Sequence, residues 1–280
     1  AAAAATTGAP ARAAEGAGHC AGPVKLLGGL SGLQGILGGF LYSWPGRASI
    51  PALIYRLMRC NAADASALAR FAAAKEVRAA LSTFAGLLPE DKLAHALHSD
   101  VLLRNVALSE LWDPTVTKAQ MDEWSKRSWF ARSFWNDWPE LRKQWPVYEP
   151  DRWFNTSLVT KSPVLLMNGD VDPQTPLWSA EREAKTITGA PGATLLTWPD
   201  AVHFSAINTP VVGGGDPCGL TAVAAFLSDP RPDGPAASAW REPACRGRML
   251  RIDFRGEATI NRALWGTADA YEGAPATSSS

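Results

Sequence analysis

The sequence predicts an α/β fold, with part of a parallel sheet in the C-terminal half and a largely helical region before it. Two observations point there. After Ser162 the chain reads strand, helix, strand, helix, the alternation that builds a parallel sheet with helical crossovers. Before Ser162 the apolar residues recur at helical spacing instead.

The C-terminal elements follow from composition and punctuation. Pro163-Val164-Leu165-Leu166-Met167 is a short continuous apolar run, stopped by Asn168-Gly169, which fits a buried strand of a parallel sheet. Trp178–Ile187 reads as a helix, Ala193–Trp198 as a second strand, and Cys218–Leu227 as a helix opened by Asp216-Pro217. Leu250, Ile252 and Phe254 alternate with Arg251, Asp253 and Arg255, which predicts a half-buried edge strand.

Upstream, Ile50, Leu53, Ile54, Leu57 and Met58 define a helix with Ser49 at its N-cap and Pro51 in its first turn. Asp64 is placed as the cap of a second helix, and Lys75–Leu88 reads as a third, ended by Pro89. The glycine-rich run Gly28–Gly39 has no phosphate-binding spacing and reads as a loop or loose helix. Residues 1–18 lack the basic start and apolar middle of a signal peptide and read as a disordered lead-in. The chain starts at Ala1 and its first Met is Met58, so it is expected to be processed or part of a longer product.

The bulk numbers bound the function. A chain of 280 residues, 46% hydrophobic and 19% charged, can bury a sizeable core. Its formal net charge of zero gives no support for nucleic acid as the main partner, and no apolar run is long enough to span a bilayer. Four cysteines form no CxxC pair, which argues against zinc. They are expected as two disulfides, Cys218–Cys245 and Cys20–Cys60, in an oxidising compartment of secreted or lysosomal/vacuolar type; four buried thiols are the other reading. Trp112–Trp153 holds more than half of the 12 tryptophans, as walls of a substrate pocket or as the core of a small helical bundle.

Two loops leave strand ends, where open α/β sheets place reactive groups. The first is Asn168-Gly169-Asp170-Val171-Asp172-Pro173-Gln174-Thr175-Pro176, and the second Pro199-Asp200-Ala201-Val202-His203-Phe204-Ser205. An acid loop, then a strand, then a histidine loop is the order of the last two members of a hydrolase triad. A serine hydroxyl needs an imidazole to take its proton, and the imidazole needs a carboxylate on its other nitrogen. Asp172 is assigned as the acid and His203 as the base. Asp170 is the competing acid; Asp172 lies further past the strand, directly before the turn-shaping proline.

The stretches PVLLMNGDVDPQTPLWSAEREAKTI, LLTWPDAVHFS and DPCGLTAVAAFLSDP resemble the C-terminal domain of tripeptidyl-aminopeptidase-like hydrolases, in the prolyl-aminopeptidase family of serine peptidases. RASIPALIYRLMRCNAADASAL, SELW and WPVYEPDRWF resemble that family's helical cap and its return to the sheet. The resemblance implies an α/β-hydrolase fold, partial here, with an inserted helical cap. It also implies release of residues or short peptides from peptide N-termini without a cofactor. On that reading residues 1–46 are a loosely ordered lead-in, 47–160 the cap, and 161–280 the α/β segment. The cap is expected over the His203 side of the sheet.

The family's G-x-S-x-G elbow does not occur in this sequence. The nearest candidate, Gly29-Leu30-Ser31-Gly32, has neither the second glycine at the right spacing nor a strand before it. The nucleophile, the oxyanion hole and the early strands are therefore expected outside the chain, which alone is expected to be inactive. Two other readings stand beside this one: a pseudo-hydrolase or binding protein, and an esterase or lipase, which shares both loops.

Overall fold

The computed structural model describes residues 19–75, 77, 99–130 and 135–275. The chain divides into two compact units. One comprises Ala1–Phe40, Ala48–Phe154 and Phe254–Ser280; the other comprises Leu41–Arg47 and Asn155–Asp253.

The second unit contains the sheet. Strands β1 (Val164–Gly169) and β2 (Ala193–Trp198) pair in parallel, with Val164 opposite Ala193 and Gly169 opposite Trp198. These are the two strands that the apolar runs predict, and helix α7 (Leu177–Thr186) connects them, packing on both. Helix α8 (Cys218–Ser228) follows, and then the short α9 (Ala237–Arg241). Cys218 and Ala222 of α8, Leu196 and Trp198 of β2, Ala201, Val211, Trp240, Cys245 and Met249 form one buried cluster, with Leu165 and Met167 of β1 against it. Cys218 and Cys245 are bonded inside this cluster, tying α8 to the segment that returns beneath it.

Leu250–Phe254 forms no strand, contrary to the alternation. Met249 makes a single antiparallel bridge to Val211, and Leu250 N–H donates to the Pro210 carbonyl at 2.9 Å. Ile252 N–H donates to the Asp200 carboxylate at 3.3 Å. Leu250 and Ile252 are half-buried, as alternation requires, but they lie along loops, and a ladder needs a partner strand.

The first unit is helical among its described residues. Helix α1 (Gly29–Phe40) buries Leu33, Ile36, Leu37 and Phe40, so the glycine-rich run is a helix and not part of a loose lead-in. The apolar face overrides the low helix propensity of its glycines. Residues 1–18 and nearly all of the expected helix Lys75–Leu88 lie outside the described residues.

Helix α2 (Trp44–Arg59) starts earlier than its periodicity suggests. Ser43, not Ser49, caps it: the Ser43 hydroxyl accepts from Gly46 N–H at 3.1 Å and its carbonyl from Arg47 N–H at 2.9 Å. Pro51 thus sits inside the helix, and Ser49 is buried. Helix α3 (Ala62–Ala73) is capped by Asn61, and Asp64 closes the reciprocal capping box three residues on.

Asp64 has a second role. It is buried and accepts from Arg56 at 3.0 Å and from Arg59 at 2.8 Å. Both arginines also bind carbonyls of the C-terminal segment: Arg56 those of Ala270, Glu272 and Gly273, and Arg59 that of Tyr271. Helix α10 (Ala258–Trp265) packs on α3, with Trp265 stacked on Phe71 at 4.3 Å between ring centres. These contacts explain why residues 254–275, expected in the α/β segment, cluster with the helices. Cys20 and Cys60 are bonded in this unit.

After helix α4 (Asp100–Val106), the tryptophan-rich stretch contributes α5 (Lys118–Arg127) and α6 (Trp138–Gln144). Trp112, Trp135 and Trp138 cluster, with ring centres 4.1 and 5.5 Å from Trp138, whereas Trp124, Trp129 and Trp153 are exposed. Among the described residues no helix is long and apolar enough to cross a membrane.

Removing Asp64 leaves Arg56 buried without its counter-charge. Asp64→Ala should therefore destabilise the chain by about 3–5 kcal/mol in urea unfolding. A loss of only a few tenths would mean that the buried network is not what anchors the C-terminal segment.

Candidate active site

The strand register brings the two predicted loops side by side. Asp170 N–H donates to the Trp198 carbonyl at 3.0 Å and Val171 N–H to the Ala201 carbonyl at 3.3 Å, so the loops stay paired just beyond the strands. Gly169 makes this approach feasible. A Cβ there would lie 1.9 Å from the Ala201 oxygen and 2.5 Å from its carbonyl carbon. The Asn168 side chain closes the acid loop, donating to the carbonyls of Gly169 at 2.8 Å and Thr175 at 3.0 Å.

Asp172 and His203 meet at these loops. His203 Nδ1 is 3.0 Å from Asp172 Oδ2 and 3.2 Å from Oδ1. The side chains are 4% exposed for Asp172 and 14% for His203, so the contact is shielded from water. Oδ1 also accepts from the N–H groups of Gln174 (2.8 Å) and Thr175 (3.0 Å), and Oδ2 from the Thr175 hydroxyl (2.8 Å). Burial acts to raise the Asp172 pKa, but the hydrogen bonds from Thr175, Gln174 and His203 outweigh it and hold the carboxyl below its ordinary value. Asp172 is thus kept as an anion. The competing acid, Asp170, is exposed, and its charge faces Arg47.

The histidine loop is strained beside His203. Phe204 has φ 58°, a left-handed conformation that costs a residue of this size on the order of 1–3 kcal/mol. The Phe204 carbonyl accepts from Ile207 and Asn208 N–H, and the Asn208 amide donates to the His203 carbonyl. The start of α8 packs against the far end of this loop: a Cβ on Gly219 would lie 2.5 Å from the Ser205 oxygen, and Thr209 accepts from Gly219 N–H at 2.7 Å.

Sequence reasoning missed the contribution of Leu41–Arg47. The Tyr42 ring meets His203 edge-on, with ring centres 5.8 Å apart, and Phe204 does so at 4.4 Å. Arg47 donates to the Val171 carbonyl at 2.6 Å, and burial lowers its pKa against the raising charges of Asp170 and Asp200. These residues lie more than a hundred positions before the loops, and no local pattern announces such a contact. Ser31, by contrast, is an exposed residue within α1; among the described residues no strand precedes it.

The family model described as TAP-like protein matches residues 130–238, which include both strands, both loops and α8. This part of the chain is similar to TAP-like proteins of the α/β-hydrolase group. The small parallel sheet and its helices are compatible with that fold. Neither the curated proteins nor the solved structures give a match to the chain. Within the TAP-like segment, the paired groups form an ionised carboxylate against Nδ1 of an imidazole, which leaves Nε2 as the ring's other functional nitrogen.

Two outcomes are expected. Gly169→Ala should force the loops apart and destabilise the fold by about 1–3 kcal/mol or more; an unchanged melting temperature would show that the loops yield freely. Asp172 should titrate below the ordinary aspartate value of about 3.9. Because the folded value is the lower one, its stabilising contribution is complete above that ordinary value and is lost as pH falls through the folded one. Carboxyl-carbon NMR would measure this, and a midpoint at or above about 3.9 would contradict the hydrogen-bond pattern.

Proposed function

We propose that the chain carries the acid and base of a serine hydrolase, with Asp172 as acid and His203 as base. The observation that carries this reading is the 3.0 Å contact between the two side chains at adjacent strand ends, within the TAP-like segment. In this role His203 takes a proton from the nucleophile through Nε2 and returns it to the leaving group, while Asp172 fixes the ring and stabilises the imidazolium.

The substrate class is peptide N-termini, from which residues or short peptides are released, in line with the resemblance of the loop sequences. No cofactor is needed, since acid, base and serine suffice for acyl transfer. Two disulfides are compatible with an oxidising compartment, and we place the enzyme in a secreted or lysosomal setting. The nucleophile and oxyanion donors come from polypeptide other than Ala1–Ser280, because no G-x-S-x-G occurs in this sequence.

A fluorophosphonate probe, which labels activated serines, tests the reading. The isolated chain should show no stoichiometric labelling. In a polypeptide that also carries the elbow, labelling and peptide hydrolysis should appear, and Asp172→Asn should cut the rate by about 10⁴-fold. Labelling of the isolated chain that disappears in His203→Ala would overturn the external nucleophile. Labelling of the longer polypeptide that survives His203→Ala would overturn the assignment of the base.

A further inference from the structure

The acid loop contains one side chain whose geometry exceeds what turn formation requires. Asp172 Oδ1 is fixed by two backbone amides, those of Gln174 and Thr175. Those bonds depend only on backbone and survive any side chain at 175. The other oxygen, Oδ2, is the one nearer to His203, at 3.0 Å. Beyond the imidazole, it receives the Thr175 hydroxyl at 2.8 Å. The same hydroxyl oxygen lies 3.4 Å from His203 Nδ1.

The donor pattern is fixed by elementary bookkeeping. A threonine hydroxyl has one proton, and an ionised carboxylate can only accept. At 2.8 Å from Oδ2 that proton is committed to the carboxylate, so the hydroxyl turns its lone pairs toward anything else nearby. An Nδ1 without a proton would then face three oxygen lone-pair sets: Oδ1, Oδ2 and Oγ1. An Nδ1 bearing a proton meets three acceptors instead. The arrangement is therefore favourable only for the tautomer with its proton on Nδ1.

We propose that Thr175 is a positioning residue, whose hydroxyl holds Asp172 Oδ2 against His203 and keeps the proton on Nδ1, so that Nε2 is the free base. This assignment rests on the proposed roles of Asp172 and His203, but it concerns hydrogen-bond geometry that exists with or without a nucleophile. With the hydroxyl removed, Oδ2 has no fixed partner except the imidazole itself. The carboxylate then keeps its two backbone donors at Oδ1 but loses the one that fixes Oδ2, so its Cβ–Cγ torsion, broad and soft, is less restrained.

The test uses Ala1–Ser280 as it stands, labelled with ¹⁵N at the imidazoles and observed by NMR well above the ordinary histidine pKa of about 6.5. His203→Gln identifies the resonance, and His19, His95 and His98 serve as internal references. The native chain is expected to show a hydrogen-bonded, slowly exchanging Nδ1 proton and an unprotonated Nε2. Thr175→Ser should keep both features. Thr175→Val, which keeps the shape, and Thr175→Ala, which keeps only the backbone, should each lose the slow exchange of the Nδ1 proton and populate the Nε2-protonated form. Retention of the native signal in both hydroxyl-free variants, or its loss in Thr175→Ser, would overturn the proposal. Failure of the hydrolase reading would show differently: the native NMR signature would be present while the elbow-bearing polypeptide hydrolysed nothing.

Discussion

Parallel pairing of two six-residue strands sets every distance at the candidate site. Val164 lies opposite Ala193 and Gly169 opposite Trp198, so both chains leave the sheet at the same level. Asp172 is three residues beyond one strand end and His203 five beyond the other. A slip of one residue would turn every inward side chain of a strand to the opposite face. The register is held from below by Leu165, Met167, Leu196 and Trp198, which share a buried cluster with α8. Burying these large side chains thus does more than stabilise: it fixes the level at which a carboxylate meets an imidazole.

Around that register the polypeptide removes freedom at the loops. Gly169 admits a backbone approach that any Cβ would block, and Asn168 ties the two ends of the acid loop together. Phe204 is held in a left-handed conformation beside His203, where backbone strain often accompanies function. The Cys218–Cys245 bond and Thr209 hold α8 against the far end of the histidine loop. The result is a carboxylate with four donors around it and an imidazole approached by two aromatic edges. A carboxylate so supplied with donors stays charged in spite of burial, and a charge fixed in a shielded site needs no reorganisation when a neighbouring group gains a proton.

The helical unit is organised by a different force. Residues 270–273 of its C-terminal segment are bound through their carbonyls. Arg56 and Arg59 donate to four of them while sharing Asp64. Buried ion pairs of this sort contribute little net stability over an apolar core, but they enforce one arrangement, because any other strands a charge. The stacked Phe71 and Trp265 and the Cys20–Cys60 bond complete that enclosure.

The sequence by itself determined the elements whose cause is local. Uninterrupted apolar runs next to Asn-Gly and Pro-Asp marked both strands to within a residue or two, and the loops past them hold the Asp172–His203 contact. Cysteine positions suggested the two pairs, and the folded chain bonds them in place of the buried-thiol alternative. Where several local signals competed, only tertiary structure decided. Ser49 looked like the cap, and the packed helix instead starts after Ser43 with Pro51 inside; Asp64 looked like a cap and is the third residue of a box that also serves two arginines. Leu250–Phe254 alternates like a strand, yet a ladder requires a partner, which no window of sequence can supply. The same holds for Tyr42 and Arg47. Their contacts with the two loops depend on chain segments separated by more than a hundred residues, and only the packed backbone brings such segments together.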